Sequence, residues 1–482
     1  MSSSTSPIAV ISPLNVGAGA IVVLQSGANI SAPVMIYGAT DDDAGGMLTV
    51  QFGASIGGVV MFFGGGGVFN DVTGAATNYQ FFGGGGAIHL SSQGSTANIA
   101  NTAGDWDSVY GSQVTVKLNG GETNVVGDDN LVSFVGGSHN QVSLYGGASQ
   151  WNTVVGSDGI AILSGGNASI VGGGDTIYSA AGSWLSLYAT NGSADVVNAS
   201  AAYVILNGAE AQIVGGGDAI LTSSASTLSL SGTNGSWDAV FGADNTISLI
   251  GAEASIIGGD ETISANAGSW MSLYATGGQA DNVTATDAYI IVNSAQAAIS
   301  GGGNDIFTTG AASVSLGGTN GAWDTFWGSG AHIALASAEV SIVGGDNFVG
   351  ASNATLSLYQ TNGHADAIAG AYNAIYLMDA QAQLQGSHDT VYFNGASALS
   401  VTGGDDTFCF NAAMGTATVT GFNLSDTLSL SAADWTSFQS LLGSGALTQV
   451  GADTMIRLDA NNAITLTGVQ ASTLTPAQFA FS

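Results

Sequence analysis

VGGGDTIYS, at Val171–Ser179, returns as VGGGDAILT at Val214–Thr222, IGGDETISA at Ile257–Ala265, SGGGNDIFT at Ser300–Thr308 and VGGDNFVGA at Val343–Ala351, each 43 residues after the one before. A fixed period of this size marks one structural unit stacked on copies of itself, because a single such unit cannot bury its own apolar face. Alternate blocks match more closely still: Trp151, Trp237 and Trp323 fall 86 residues apart, as do Trp184 and Trp270. These aromatics are read as stacking or core residues of the repeat.

Each block carries a second marked turn: TNGSAD ending at Asp195, TNGSWD at Asp238, TGGQAD at Asp281, TNGAWD at Asp324 and TNGHAD at Asp366. Interleaving the two series gives Asp175, Asp195, Asp218, Asp238, Asp260, Asp281, Asp305, Asp324, Asp346, Asp366 and Asp389, at steps of 19 to 24 residues, with Asp107, Asp128 and Asn152 continuing it upstream. This spacing predicts a coil of about 21 residues, two coils to a block. Between the turns, runs such as Trp184-Leu-Ser-Leu-Tyr188, Tyr203-Val-Ile-Leu206, Thr227-Leu-Ser-Leu230 and Thr246-Ile-Ser-Leu249 alternate apolar and small polar residues, which is strand periodicity. No repeat segment shows helical spacing with caps. The expected fold is therefore all-β, a parallel β-solenoid with two short strands and two turns per coil. Residues 1–100 read as a glycine-rich apolar solenoid or cap region, 101–400 as the repeat solenoid and 401–482 as a β-rich closing domain.

The composition agrees. There are 74 glycines against 4 prolines, and 45% hydrophobic residues is too much apolar surface for a disordered chain. The glycines supply positive φ at turns. FFGGGG occurs at Phe62–Gly67 and again at Phe81–Gly86, so the uncharged stretch from Met47 to Phe69 reads as solenoid strands and not as a membrane span. Met1 to Gln25 has no Lys or Arg to form a signal-peptide n-region, so classical export is not expected. The single Cys409 excludes an internal disulfide and reads as a buried small hydrophobe.

Charge is the sharpest functional signal: 34 acidic side chains face two basic ones, Lys117 and Arg457. Nucleic acid is excluded as a partner, attraction to an anionic membrane surface or insertion into a membrane is not expected, and cations are favoured. If equivalent turn aspartates stack at the strand spacing of about 4.8 Å, neighbours repel by roughly 3 kcal/mol at an effective dielectric near 20. Bound cations, alternating inward and outward side chains, or raised pKa values must relieve this. Calcium suits the carboxylate and carbonyl oxygens of such turns, so the candidate ligands are the eleven aspartates of the series with Asp405 and Asp406. The bland alternative is that each aspartate serves only its own turn and points into water.

Gly301-Gly-Gly-Asn-Asp-Ile-Phe307 and Gly403-Gly-Asp-Asp-Thr-Phe-Cys-Phe410 resemble the glycine- and aspartate-rich nonapeptides of RTX proteins. That resemblance implies a β-roll that folds on calcium outside the cell. Thr418-Val-Thr-Gly-Phe422, Ser425-Asp-Thr-Leu-Ser-Leu430, Asp453–Leu458, Ala463–Val469 and Ala477–Ser482 resemble the closing domain of type I secreted proteins. This implies an uncleaved C-terminal secretion signal, the type I secretion machinery as a partner, and an extracellular or bacterial cell-surface location.

An enzyme is not expected: HExxH is absent, and His89, His139, His332, His364 and His388 lack ligand spacing. Solenoids leave open edge strands, and Lys and Pro, the usual guards, are nearly missing. The expectation is a secreted structural protein that assembles with itself into a filament, surface layer or matrix. The alternative is a calcium-dependent adhesin or carbohydrate-binding surface protein, with a polysaccharide-active β-helix enzyme behind it. Ice binding needs a regular Thr-x-Thr face, and the Thr residues are scattered.

Overall fold

The computed structural model describes the chain except residues 1–8, 11, 18–19, 26–27, 38–46, 52–53, 57–58, 64–66, 101, 103–104, 137–138, 147–149, 224, 275–276 and 411–413. Parts of the N-terminal segment, the glycines 64–66 of the first FFGGGG, and Thr276 of TGGQAD lie outside the described residues. Contacts divide the chain into two units, Met1–Thr246 and Ile247–Ser482. Each unit is a parallel β-solenoid.

In the first unit the strands alternate between two sheets. Trp184–Tyr188 pairs in parallel with Asn167–Val171 on one side and Tyr203–Asn207 on the other. The intervening strands Thr176–Ser179 and Asp195–Ala199 pair with each other in the second sheet. Two strands therefore make one coil. Within strands the side chains alternate inward and outward, as the pleat requires: Leu185, Leu187, Val204, Leu206 and Ile220 from one sheet meet Ile177, Val197, Ile213 and Leu228 from the other, all fully buried. The core is an aliphatic column between the two sheets.

The coil is shorter than the sequence suggests. The register joins Trp151 to Asn167, Asn167 to Trp184, Trp184 to Tyr203, Tyr203 to Ala219 and Ala219 to Ala239, steps of 16, 17, 19, 16 and 20 residues. In the second unit Glu253 joins Trp270, Trp270 joins Tyr289, Tyr289 joins Asp305 and Asp305 joins Thr325, steps of 17, 19, 16 and 20. Five coils thus separate the strand at Trp151–Val155 from that at Asp238–Phe241, and a 43-residue block is two and a half coils, not two. The half coil explains the 86-residue superperiod: successive blocks lay the same motif on opposite sheets, and only the second block returns it to the same one. Asp195 and Asp218, adjacent in the sequence series, stand on different sheets, one and a half coils apart. Glycine spacing misses the intermediate corners because Ala201, Asp244, Asp287 and Ser294 hold the left-handed conformation there, with φ of 56°, 59°, 51° and 48°.

Near the N-terminus, Met47–Gln51, Ser55–Ile56 and Val59–Phe63 are strands. The next coils bury Phe62, Phe69, Tyr79 and Phe81, with the Phe69 ring edge-on to Tyr79 at 4.8 Å and to Phe81 at 5.2 Å. Gly86 of the second FFGGGG is required by close approach, since a Cβ there meets the Phe62 ring at 2.6 Å. Among the described residues no helix is long and apolar enough to cross a membrane.

The second unit keeps parallel coils to Thr427–Leu430. Helix Phe438–Ser444 follows, opened by a Ser437/Ser440 capping box and closed by Gly445 at φ 72°. Leu447–Val450, Asp453–Arg457 and Ala463–Thr467 form an antiparallel meander, whose last strand also runs parallel to Thr416–Thr420. Phe479–Phe481 pairs with Thr427–Leu430. Phe438 packs 5.0 Å from Phe479, and Trp435 and Leu441 are buried with them. Cys409 is half-exposed on a strand's outer face, not a core hydrophobe, and burial of its thiol pushes the pKa up.

Candidate functional site: acidic corners and neutral faces

The thirteen aspartates expected as ligands divide by side-chain direction. Asp175, Asp195, Asp218, Asp238, Asp281, Asp324, Asp366, Asp389 and Asp406 point inward and are buried, Asp305 is half-buried, and Asp260, Asp346 and Asp405 are exposed. The last three hold left-handed turn positions, at φ 66°, 63° and 62°.

The inward carboxyls occupy coil corners, just before or at the first residue of a strand. There each ties its own coil to the one before. The Gly159 N–H donates to Asp175 Oδ1 at 2.8 Å, and the Asp175 N–H donates to Asp195 Oδ1 at 3.0 Å. On the opposite sheet the Ala202 N–H donates to Asp218 Oδ1 and the Asp218 N–H to Asp238 Oδ1, at 2.8 and 2.9 Å. A side-chain oxygen serves here because backbone N–H groups leaving a strand at a corner have no ladder partner.

The expected continuous ladder does not form. One coil beyond Asp195 stands Ala211, beyond Asp281 Ala297, beyond Asp324 Val340 and beyond Asp366 Ala382. Most of the inward aspartates instead belong to two-residue corners, and near the end of the second unit Asn373, Asp389, Asp406 and Asp426 follow one another through N–H to Oδ1 bonds. Repulsion is relieved first by this interruption.

Sequence reasoning missed half of each pair in the second unit. The buried corner position repeats at 175, 218, 261, 304 and 347, and is filled by Asp, Asp, Glu, Asn and Asn. Asp260, Asp305 and Asp346 are its sequence neighbours, picked because they are aspartates. The unbroken 43-residue step was the signal that pointed to Glu261, Asn304 and Asn347. Their N–H groups donate to Asp281, Asp324 and Asp366 Oδ1 at 3.1, 2.9 and 2.9 Å. Asp107, Asn373 and Asp426 are further buried corner residues outside the expected ligand set.

Burial pushes these acids up, against the lowering effect of the donated N–H groups. Asp195, Asp238 and Asp281, each beside an acidic partner, reach about 7. Asp324 and Asp366, each hydrogen-bonded by an Asn partner, reach about 6. Asp175 also reaches about 6 and Asp406 about 6, while Asp218 and Asp389 are raised. Oδ2 of every inward aspartate in the expected set is buried without a hydrogen-bond partner. Among the described residues no three His, Cys, Asp or Glu side chains converge as a metal would need. The geometry uses the inward carboxyls as acceptors for backbone N–H groups.

The broad faces contrast with the corners. In the first unit, the outward side chains of Trp151–Val155, Asn167–Val171, Trp184–Tyr188, Tyr203–Asn207, Ala219–Thr222 and Asp238–Phe241 carry no charge. Trp184 and Tyr203 stack there at 4.4 Å, both about two-fifths exposed, so they are outer-face residues and not core. Trp270 and Tyr289 repeat the stack at 4.1 Å in the second unit. On the other sheet of that unit a row of small neutral side chains runs through Ser315, Ala334, Gly350, Ala369, Gln385 and Thr402. The histidines are dispersed; His364 pairs with Asp346 at 3.0 Å on an exposed turn.

No family model matches this sequence, and no curated protein matches it.

Proposed function

We propose that the protein is a structural protein that assembles with copies of itself by laying neutral sheet faces together. The observation that carries this reading is the segregation of charge: among the described repeats acidic side chains gather at the coil corners, while the sheet face from Trp151–Val155 to Asp238–Phe241 in the first unit and the row from Ser315 to Thr402 in the second carry no ionised side chain. Faces of this kind approach without desolvating charge, and the acidic corners keep the assembly in water. Calcium enters as a counter-ion that screens corners between neighbouring molecules. The C-terminal segment, with its resemblance to type I secreted proteins, supports export and an extracellular or cell-surface location.

Light scattering and electron microscopy of the full chain, with calcium and with chelator, test the reading. Ordered assemblies are expected, and Ala369→Lys, which sets a charge on the neutral row, is expected to weaken them without changing the circular dichroism spectrum. A compact monomer under every condition overturns it.

The exposed Trp184–Tyr203 and Trp270–Tyr289 stacks favour a second reading, an adhesin for neutral glycans, since exposed aromatic rings suit the apolar faces of sugars. Glycan binding by isolated monomer, lost in Trp184→Ala, distinguishes it from self-assembly.

A further inference from the structure

We propose that Asp175 and Asp218, the inward aspartates of the first unit that pair with Asp195 and Asp238, are held as neutral carboxylic acids with the proton on Oδ2, and that these protons lock neighbouring coils together, so the solenoid loosens as the pH rises. This goes beyond the assembly reading and holds whether or not the chain assembles.

The geometry comes from comparing repeats. At position 304 the corner residue is Asn: its Oδ1 accepts the Ala288 N–H at 3.1 Å, and its Nδ2 donates to the Ala285 carbonyl at 3.2 Å and to Asp324 Oδ1 at 3.1 Å. Asn347 does the same with the Ala331 N–H and the Gly328 carbonyl, at 3.1 and 3.2 Å. Asp175 and Asp218 stand two to four 43-residue steps upstream and accept the equivalent N–H groups, those of Gly159 and Ala202, through Oδ1. Their Oδ2 atoms fall in the place the repeat gives to an amide donor, and are buried without a partner. An ionised carboxylate sets an acceptor where the corner calls for a donor. A proton on Oδ2 restores the donor, and an aspartic acid then copies asparagine in shape and in hydrogen bonding.

The surroundings point the same way. Asp158 faces Asp175, Asp175 and Asp195 face each other, and Asp218 faces Asp238. No cation is among these facing groups. Burial and the facing acids raise the carboxyls well above the unfolded value near 3.8. The folded state therefore holds more protons than the unfolded one between about pH 4 and 7. Stability contributed by these protons is complete below pH 4, falls as pH rises through about 6 to 7, and is gone above.

The test uses the full chain in chelator. Infrared spectroscopy at pH 6, where ordinary carboxylates are ionised, is expected to show a protonated-carboxyl band that shrinks in Asp175→Asn/Asp218→Asn. The wild-type midpoint of thermal unfolding is expected to fall by about 5 °C or more from pH 5 to pH 8. In the double variant, which carries the donor without needing a proton, the fall is shallower and the midpoint at pH 8 lies above wild type. Absence of the band in wild type overturns the proposal even if the variant fails to fold. So does a band or a pH slope unchanged in a folded variant. A rise in midpoint on adding calcium at pH 8 that the variant abolishes also overturns it, because the Oδ2 atoms then belong to a cation.

Discussion

Two corner pairs of Met1–Thr246 and two of Ile247–Ser482 do the same backbone work with different chemistry. In the first unit, Asp175 and Asp218 meet Asp195 and Asp238; in the second, Asn304 and Asn347 meet Asp324 and Asp366. Both versions accept an N–H through Oδ1, so that bond is what the turn requires. The second atom of the side chain is the variable. In asparagine it is a donor at every pH, whereas in aspartate it is a donor only while protonated. The comparison teaches that the acidity of these corners is not needed to build the coil, and instead adds a dependence on pH.

The largest effect is expected from breaking the satisfied version. Asn304→Leu removes the acceptor of the Ala288 N–H and the donor to the Ala285 carbonyl, and should cost about 3 kcal/mol in denaturant unfolding. At pH 8, where the Asp175 proton is gone, Asp175→Leu strands the Gly159 N–H alone and removes an unpaired oxygen, so a smaller loss of about 1–2 kcal/mol is expected there. Equal losses would mean that Nδ2 contributes nothing.

Converting one version into the other sharpens the contrast. Asn304→Asp creates an acid pair, and should lower stability more at pH 8 than at pH 5, by about 1–2 kcal/mol. In the same variant, Asp324 is expected to titrate near 7 in place of about 6, because it loses an amide donor and gains an acidic neighbour, as at Asp238 and Asp281. Carboxyl-carbon NMR reads that shift directly. The smallest effect belongs to a corner acid that faces water: His364→Ala breaks the exposed pair with Asp346 and should change stability by less than about 1 kcal/mol.

Much of this molecule was legible in its sequence. Alternation in runs such as Trp184–Tyr188 gave strands, the 43- and 86-residue steps gave stacked repeats, and together they gave a parallel solenoid. The candidate residues were legible only in part. Asp195, Asp238, Asp281, Asp324 and Asp366 were found at the corners where they act, but Asp260, Asp305 and Asp346 were chosen over the inward-facing Glu261, Asn304 and Asn347 beside them. At these turns the 43-residue period marks the inward position, and residue type does not.

By itself, then, the sequence determined the class of fold, the repeat and the acidic character of the turns, because these follow from local periodicity and composition. Tertiary structure decided how many coils a block contains and which residue of each turn faces inward. Side chains alternate across the pleat with a period of two, so a slip of one residue sends a carboxyl from the core to water. That direction is set by the register of each coil on the last, which places Asp175 inside and Asp346 outside.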